Sequence, residues 1–147
     1  MSDLERGIRA REEYEKALIH LAEAEQMAGW GHAPNASAHS AYYAMHHCAA
    51  AAILAAGGIG KHRDAPKSHE HVIQHFGNLV AAETGYLGQC GMVLGRARTD
   101  RMVADYDLVH GITNAEATEV VKDARKFVDA CKGKWTFKDR AIDELNH

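Results

Sequence analysis

Leu87, Cys90, Leu94, Ala97, Arg101, Ala104 and Leu108 recur at steps of three and four. On a helix they form one continuous stripe, and a charged residue, Arg101, lies at its centre. A guanidinium keeps its charge in a protein, so burying it requires a carboxylate, a phosphate or a partner surface. Asp105 follows one turn later on the same face, and Arg98 precedes by nearly one turn. Three uses fit this arrangement: an i,i+4 ion pair that ties helices together, a phosphate or nucleotide site, or a contact that stabilises a dimer. An ion pair alone is a poor stability device, because desolvation offsets much of its attraction. That argument tilts the reading toward function.

Tyr42, Tyr43, His46 and His47 form two i,i+4 tyrosine–histidine pairs on adjacent flanks of one helix. Rings so placed fill core and bond locally, or they line a site. His69, His71 and His75 suggest metal at first sight, since His71 and His75 are one turn apart. Glu70 faces elsewhere, and neither an HExxH nor a paired-cysteine pattern is present, so no metal site is expected. Gly57-Gly58-Ile59-Gly60-Lys61 lacks the spacing of a phosphate loop, with Ala55 and His62 at the deciding positions. These glycines read as a helix stop. No cofactor is expected. Cys48, Cys90 and Cys131 are odd in number and embedded in helical patterns, which makes them buried free thiols.

The elements that must carry these residues are all helical. Ser2-Asp3-Leu4-Glu5 has capping-box spacing and opens a first helix, with Leu4, Ile8, Ala17, Leu18, Leu21 and Met27 toward a core. Gly29 to Pro34 ends it. A second, from about Asn35 to Ala56, is apolar around nearly its whole circumference, as a central helix should be. Ser68 caps a third, roughly His69 to Glu83. The striped helix runs from about Gly85 to Asp107. Thr113-Asn114-Ala115-Glu116 is a second capping box, starting a fifth helix that continues to about Cys131. With no β-periodic run, the fold class is an all-α bundle. Residues 1–133 form the bundle, and 134–147 make a C-terminal tail with room for one short helix.

At 147 residues the chain is one domain, and 46% hydrophobic residues argue against disorder. A net charge of −3 leaves no polyanion-binding footprint over the whole chain, so any nucleic-acid contact is local to Arg96, Arg98 and Arg101. The longest apolar run, Cys48 to Ala56, is mostly alanine and too short to span a bilayer. The acidic N-terminus lacks an apolar signal core, which points to a cytoplasmic protein.

Three segments resemble one family in order and spacing: Ala41-Tyr42-Tyr43-Ala44-Met45-His46-His47; Pro66-Lys67-Ser68-His69 with Val72-Ile73 and Phe76; and Arg101 with Ala104-Asp105-Tyr106-Asp107. They look like HEPN-domain proteins of the UPF0332 type. The resemblance implies an up-and-down bundle of four to five helices that forms a homodimer. It further implies a ribonuclease toxin paired with a nucleotidyltransferase antitoxin. In such nucleases an arginine, four to six residues and a histidine form a signature that cleaves RNA without metal. The arginine stabilises the phosphorane and the histidine moves a proton. This chain departs from that signature: Tyr106, Asp107 and Leu108 stand where the histidine belongs, and His110 lies beyond the window.

Arg101 and Arg98 therefore carry over as phosphate-contacting residues without a histidine partner in the motif. Asp105, beside an arginine, is a poor proton donor, and a phenol such as that of Tyr106 titrates far above neutrality. His46, one turn from Tyr42, is the expected substitute, provided it lines the same cavity as Arg101. The catalytic candidates are thus Arg101, Asp105, Tyr106 and His46. The alternative is a non-catalytic module that binds a nucleotide or a nucleotidyltransferase.

Overall fold

Short polar side chains set the helix starts. Ser2 accepts a hydrogen bond from the Glu5 amide at the head of α1 (Asp3–Trp30), and Gly31, in the left-handed region at φ 71°, closes it. Pro34, expected in a loop, instead occupies the first position of α2 (Pro34–Ala55), where its fixed φ and missing N–H cost nothing. Ser68 caps α3 (His69–Val80) by accepting from the His71 amide. At α5 (Asn114–Lys134) the capping box is complete: Thr113 accepts from the Glu116 amide and Glu116 accepts from the Thr113 amide, each at 3.1 Å. The striped helix is α4 (Gly85–Tyr106). The computed structural model describes residues 1–106 and 111–137. Among these there is no strand, only an isolated bridge between Ile59 and Asp64 inside the α2–α3 connection.

Helix α2 is the axis of the bundle and packs against all four others. Its alanines explain how: Ala38, Ala41, Ala44, Ala49, Ala51 and Ala52 are fully buried, and their small side chains let neighbouring backbones approach from several directions. Side-chain pairings fix the directions of the helices. Residues 13, 20 and 24 of α1 meet 47, 43 and 37 of α2, an antiparallel hairpin. Residues 39 and 43 of α2 meet 105 and 101 of α4, again antiparallel. The α4–α5 pair is antiparallel too, Asp100 sharing a groove with Glu116 while Tyr86 bonds to Asp123. Helix α3 is the exception to up-and-down alternation. His69 meets Tyr42 while His75 and Leu79 lie beside Ile53 and Ala56, so α3 runs parallel to α2. The connection over 56–68 is long enough to carry the chain back for this.

Helix α1 corrects the expected core. Its buried positions are Ala10, Tyr14, Ala17, Leu21 and Ala24, whereas Leu4, Ile8 and Leu18 are exposed. The helix meets α2 through an alanine-rich stripe, which turns the larger aliphatic residues away. Helix α3 also ends earlier than its apolar pattern suggests, at Val80, and α5 continues past Cys131 to Lys134. Beyond it Phe137 is buried and stacks on Tyr14 at 4.6 Å. The short helix expected in the 134–147 tail has no counterpart over 135–137, and the rest of that expectation, 138–147, lies outside the described residues. No helix among the described residues is long and apolar enough to cross a membrane.

Gly88 is placed where no side chain fits. A β-carbon there would lie 2.2 Å from the Glu83 carbonyl oxygen, because the turn between α3 and α4 folds back onto the first turn of α4. Helix propensity alone favours Gly88→Ala by about 1 kcal/mol. The backbone collision reverses the sign, and we expect a net loss of about 1–3 kcal/mol in chemical denaturation. A stabilised Gly88→Ala variant would show that this turn relaxes freely.

Candidate functional site

Two buried alanines bring the chemistry together. Ala38 of α2 and Ala104 of α4 pack with Ile112 and Ala117 in a small cluster at one end of the bundle. The close approach places the next residue of each helix, His39 and Asp105, side by side. Asn35 of α2 accepts a hydrogen bond from the Ile112 amide at 3.1 Å.

The carboxylate of Asp105 is shared. Its Oδ2 lies 2.9 Å from Arg101 Nε and 3.0 Å from His39 Nδ1, and its Oδ1 lies 3.2 Å from the same imidazole nitrogen. The contact with Arg101 is an ion pair without a well-aimed hydrogen bond: the Nε–H points past the carboxylate and has no hydrogen-bond partner among the described residues. The guanidinium is positioned instead by tyrosines. Its Nη2 donates to Tyr43 Oη at 3.3 Å, and its carbon lies 5.6 Å from the Tyr43 ring centre and 5.7 Å from that of Tyr106. Side-chain exposure is 18% for Arg101, 23% for Asp105 and 41% for His39. The imidazole is thus the accessible member, with the charged pair set behind it.

Because a carboxylate only accepts, Nδ1 of His39 carries the proton toward Asp105, and this assignment leaves Nε2 as the free basic nitrogen. The arrangement joins a carboxylate-oriented imidazole to a guanidinium across one carboxylate. An oriented imidazole can take or give a proton, and a guanidinium can stabilise charge on a phosphoryl oxygen.

The remaining sequence candidates are Arg98, Tyr106 and His46. Arg98 is paired with Glu70 at the start of α3, so it is not part of the Asp105 cluster. Tyr106 is exposed and touches the site only through its ring over Arg101. His46 opens into a cleft formed by α1, α2 and the start of α3, whose lining includes Glu13, His47 and His69. The physical reason is rotation about α2: Tyr43 faces α4, and His46 faces toward α3. His69 and His46 stack with ring centres 4.2 Å apart, and His69 Nδ1 is 2.6 Å from Tyr42 Oη. Burial, together with the charges of His69 and His47, drives the His46 pKa down to about 4.

Sequence reasoning passed over His39. The signal was present, since His39 is four residues before Tyr43 and continues the same tyrosine–histidine stripe. Nothing local, however, tells which residue of α2 stands opposite Asp105.

His71 and His75 meet edge to face at 4.4 Å, and no group of three potential ligands able to hold a metal ion occurs among the described residues. The three cysteines are free and buried. Burial pushes the Cys90 thiol up to about 12, and a hydrogen bond with Cys48 together with burial raises that of Cys131 further. None is a ready thiolate. The Gly57–Gly60 run supplies three positive-φ positions, 57, 58 and 60, in the turn after α2.

The described residues form an all-helical bundle in which an arginine, a carboxylate and a histidine converge from two antiparallel helices. The chain belongs to the HEPN domain family, whose profile matches residues 10–134. That span takes in α2, α3, α4 and α5 whole, and all but the first turns of α1. No curated protein sequence matches the chain.

Proposed function

We propose that this HEPN protein is an RNA-cleaving toxin of a toxin–antitoxin system, of the UPF0332 type, acting in the cytoplasm as a homodimer. The observation that carries the reading is the Asp105 carboxylate shared between Arg101 and His39. The family signature wants its histidine four to six residues after the arginine; here α2 supplies one through space. His39 Nε2 takes the proton of a ribose 2′-hydroxyl as that oxygen attacks the adjacent phosphorus. Arg101 holds the growing charge on the non-bridging oxygens. The bond to the 5′ oxygen breaks, water protonates that oxygen, and the products are a 2′,3′-cyclic phosphate and a 5′-hydroxyl. Asp105 orients His39 and keeps Arg101 in place. Tyr43 and Tyr106 flank the guanidinium, and the exposed Tyr106 and Met102 offer surface beside the site for a second copy or for RNA.

The rival reading is a non-catalytic module that binds a nucleotide or a nucleotidyltransferase. One observation favours it: Arg98 and Arg101 are both already engaged by carboxylates, Glu70 and Asp105. The experiment is incubation of the purified chain with RNA in excess EDTA, with analysis of product ends. The cleaving reading expects 2′,3′-cyclic phosphate ends. Intact RNA, with the nucleotide or nucleotidyltransferase bound, would replace it with the binding module.

A further inference from the structure

The second cleft has a chemistry of its own. It encloses about 260 Å³ between α1, α2 and the start of α3. Two cationic side chains, Arg9 and Lys67, stand on its exposed margin, and neither has an ion-pair partner among the described residues. Its single carboxylate, Glu13, is already occupied: His47 Nδ1 is 2.6 Å from Oε2 and Lys16 Nζ is 3.7 Å from Oε1. Burial alone would push the Glu13 carboxyl up, but the hydrogen bond with His47 and the nearby charge of Lys16 hold it below its usual value. The cleft therefore presents uncompensated positive charge beside a neutralised carboxylate.

The inner wall is the stacked pair His46 and His69. Tyr42, whose phenol burial holds up to about 12, has His69 Nδ1 as its partner at 2.6 Å and donates to it. His69 then carries its own proton on Nε2, as a hydrogen-bond donor. His46 Nδ1 is buried and has no hydrogen-bond partner among the described residues. A buried imidazole nitrogen left unsatisfied costs free energy, so it marks a place where a ligand atom or water belongs. The floor is apolar, from Ala50, Leu54 and Val72. The volume falls below the roughly 300–1,000 Å³ of pockets for drug-sized ligands, so the occupant is small.

We infer that this cleft binds inorganic phosphate or a small phosphate monoester, with Arg9 and Lys67 pairing its charge and the His46–His69 stack hydrogen-bonding its oxygens. None of these residues belongs to the Arg101–Asp105–His39 cluster, so the inference stands apart from the ribonuclease reading. Binding is linked to protons. Two imidazoles 4.2 Å apart cannot both charge without a counterion, and a phosphate dianion is one. The other groups facing the stack are Glu13 and His47, the phenols of Tyr42 and Tyr43, Glu70, and the guanidinium groups of Arg98 and Arg101. Burial and the cationic neighbours hold both stacked imidazoles neutral at pH 7 in the empty cleft. Affinity therefore rises as the pH falls.

The test is a titration of the full chain with inorganic phosphate, and separately with AMP, followed by the ring signals of individual histidines in ¹H–¹⁵N NMR. The inference predicts saturable shifts of His46 and His69, tighter binding at pH 6 than at pH 7.5, and at least tenfold weaker binding in Arg9→Ala/Lys67→Ala. Both substituted side chains are exposed, so the double variant keeps its fold. Tighter binding of AMP than of phosphate would show that the apolar floor takes part; equal binding would confine recognition to the phosphoryl group. Linear shifts shared with the exposed His32, or unchanged affinity in the double variant, would overturn the inference. Saturable shifts at His39 alone would overturn it too, by placing phosphate at the α4 site, and would leave the ribonuclease reading intact.

Discussion

Arg101→Ala is expected to slow RNA cleavage by about 10²–10³-fold, the usual loss when one preorganised donor to a developing oxyanion is removed. The geometry explains why the loss is large. The rings of Tyr43 and Tyr106 both lie within about 6 Å of the guanidinium and Asp105 pairs with its Nε side, so the group is positioned before substrate arrives. Among the described residues no other cation is placed to replace it, because Arg98 is turned to Glu70. Arg101→Lys keeps the charge but loses the planar fork, and should recover only part of the rate. Asp105 retains His39 as a partner in either variant, so unfolding is not the expected cause of the loss. The check is the initial rate on an RNA oligonucleotide, with a thermal melt of each variant alongside. Unchanged cleavage in a folded Arg101→Ala protein would reduce the pair to a structural tie between turns of α4.

The second large effect is on stability. In the folded protein His46 titrates at about 4, against about 6.5 for an unfolded chain. Above pH 6.5 both states hold it neutral, and its contribution is fully present. Between 6.5 and 4 the unfolded chain binds a proton that the folded protein refuses, so stability falls as the pH falls. Below 4 both states are protonated and the loss is complete. The whole step is of order 3 kcal/mol, reduced somewhat by the partial exposure of the ring. His20 and His69 act in the same direction, both held down chiefly by burial; His47 adds to this at His20, and Arg101 and Arg98 at His69. Melting temperature should therefore drop by roughly 6–10 °C from this residue as the pH goes from 7 to 4.5. His46→Gln should flatten that part of the curve. An equally steep curve in the variant would assign the acid sensitivity to other groups.

Much of the fold was legible because helix starts are local events. Ser68 and Thr113 act as caps in the structure as their neighbours suggested, and a helix apolar on every side could only be central. The direction of α3 was not legible, since the loop over 56–68 permits either return. The phase of α1 was misjudged for a related reason. Leu4, Ile8 and Leu18 outrank alanine in hydrophobicity, but close packing against an alanine-rich α2 rewards small side chains. At the site, the Arg101–Asp105 pair could be read from i,i+4 spacing within one helix. Its third member could not, because the meeting of His39 with Asp105 depends on the register of α2 against α4, which Ala38 and Ala104 set through space. His46 shares its sequence neighbourhood with Tyr42 and Tyr43, and the rotation of α2 turns it toward His69.

The ribonuclease account rests on His39 doing the work that the motif's absent histidine would have done. The most direct test measures 2′,3′-cyclic phosphate ends released from RNA in EDTA by the native protein, His39→Ala and His46→Ala. The account predicts that His39→Ala loses about 10²–10⁴-fold, as for removal of a general base, while His46→Ala stays within a few-fold of the native rate at neutral pH. Native-like cleavage by His39→Ala together with its loss in His46→Ala would contradict the account and move the chemistry to the other cleft.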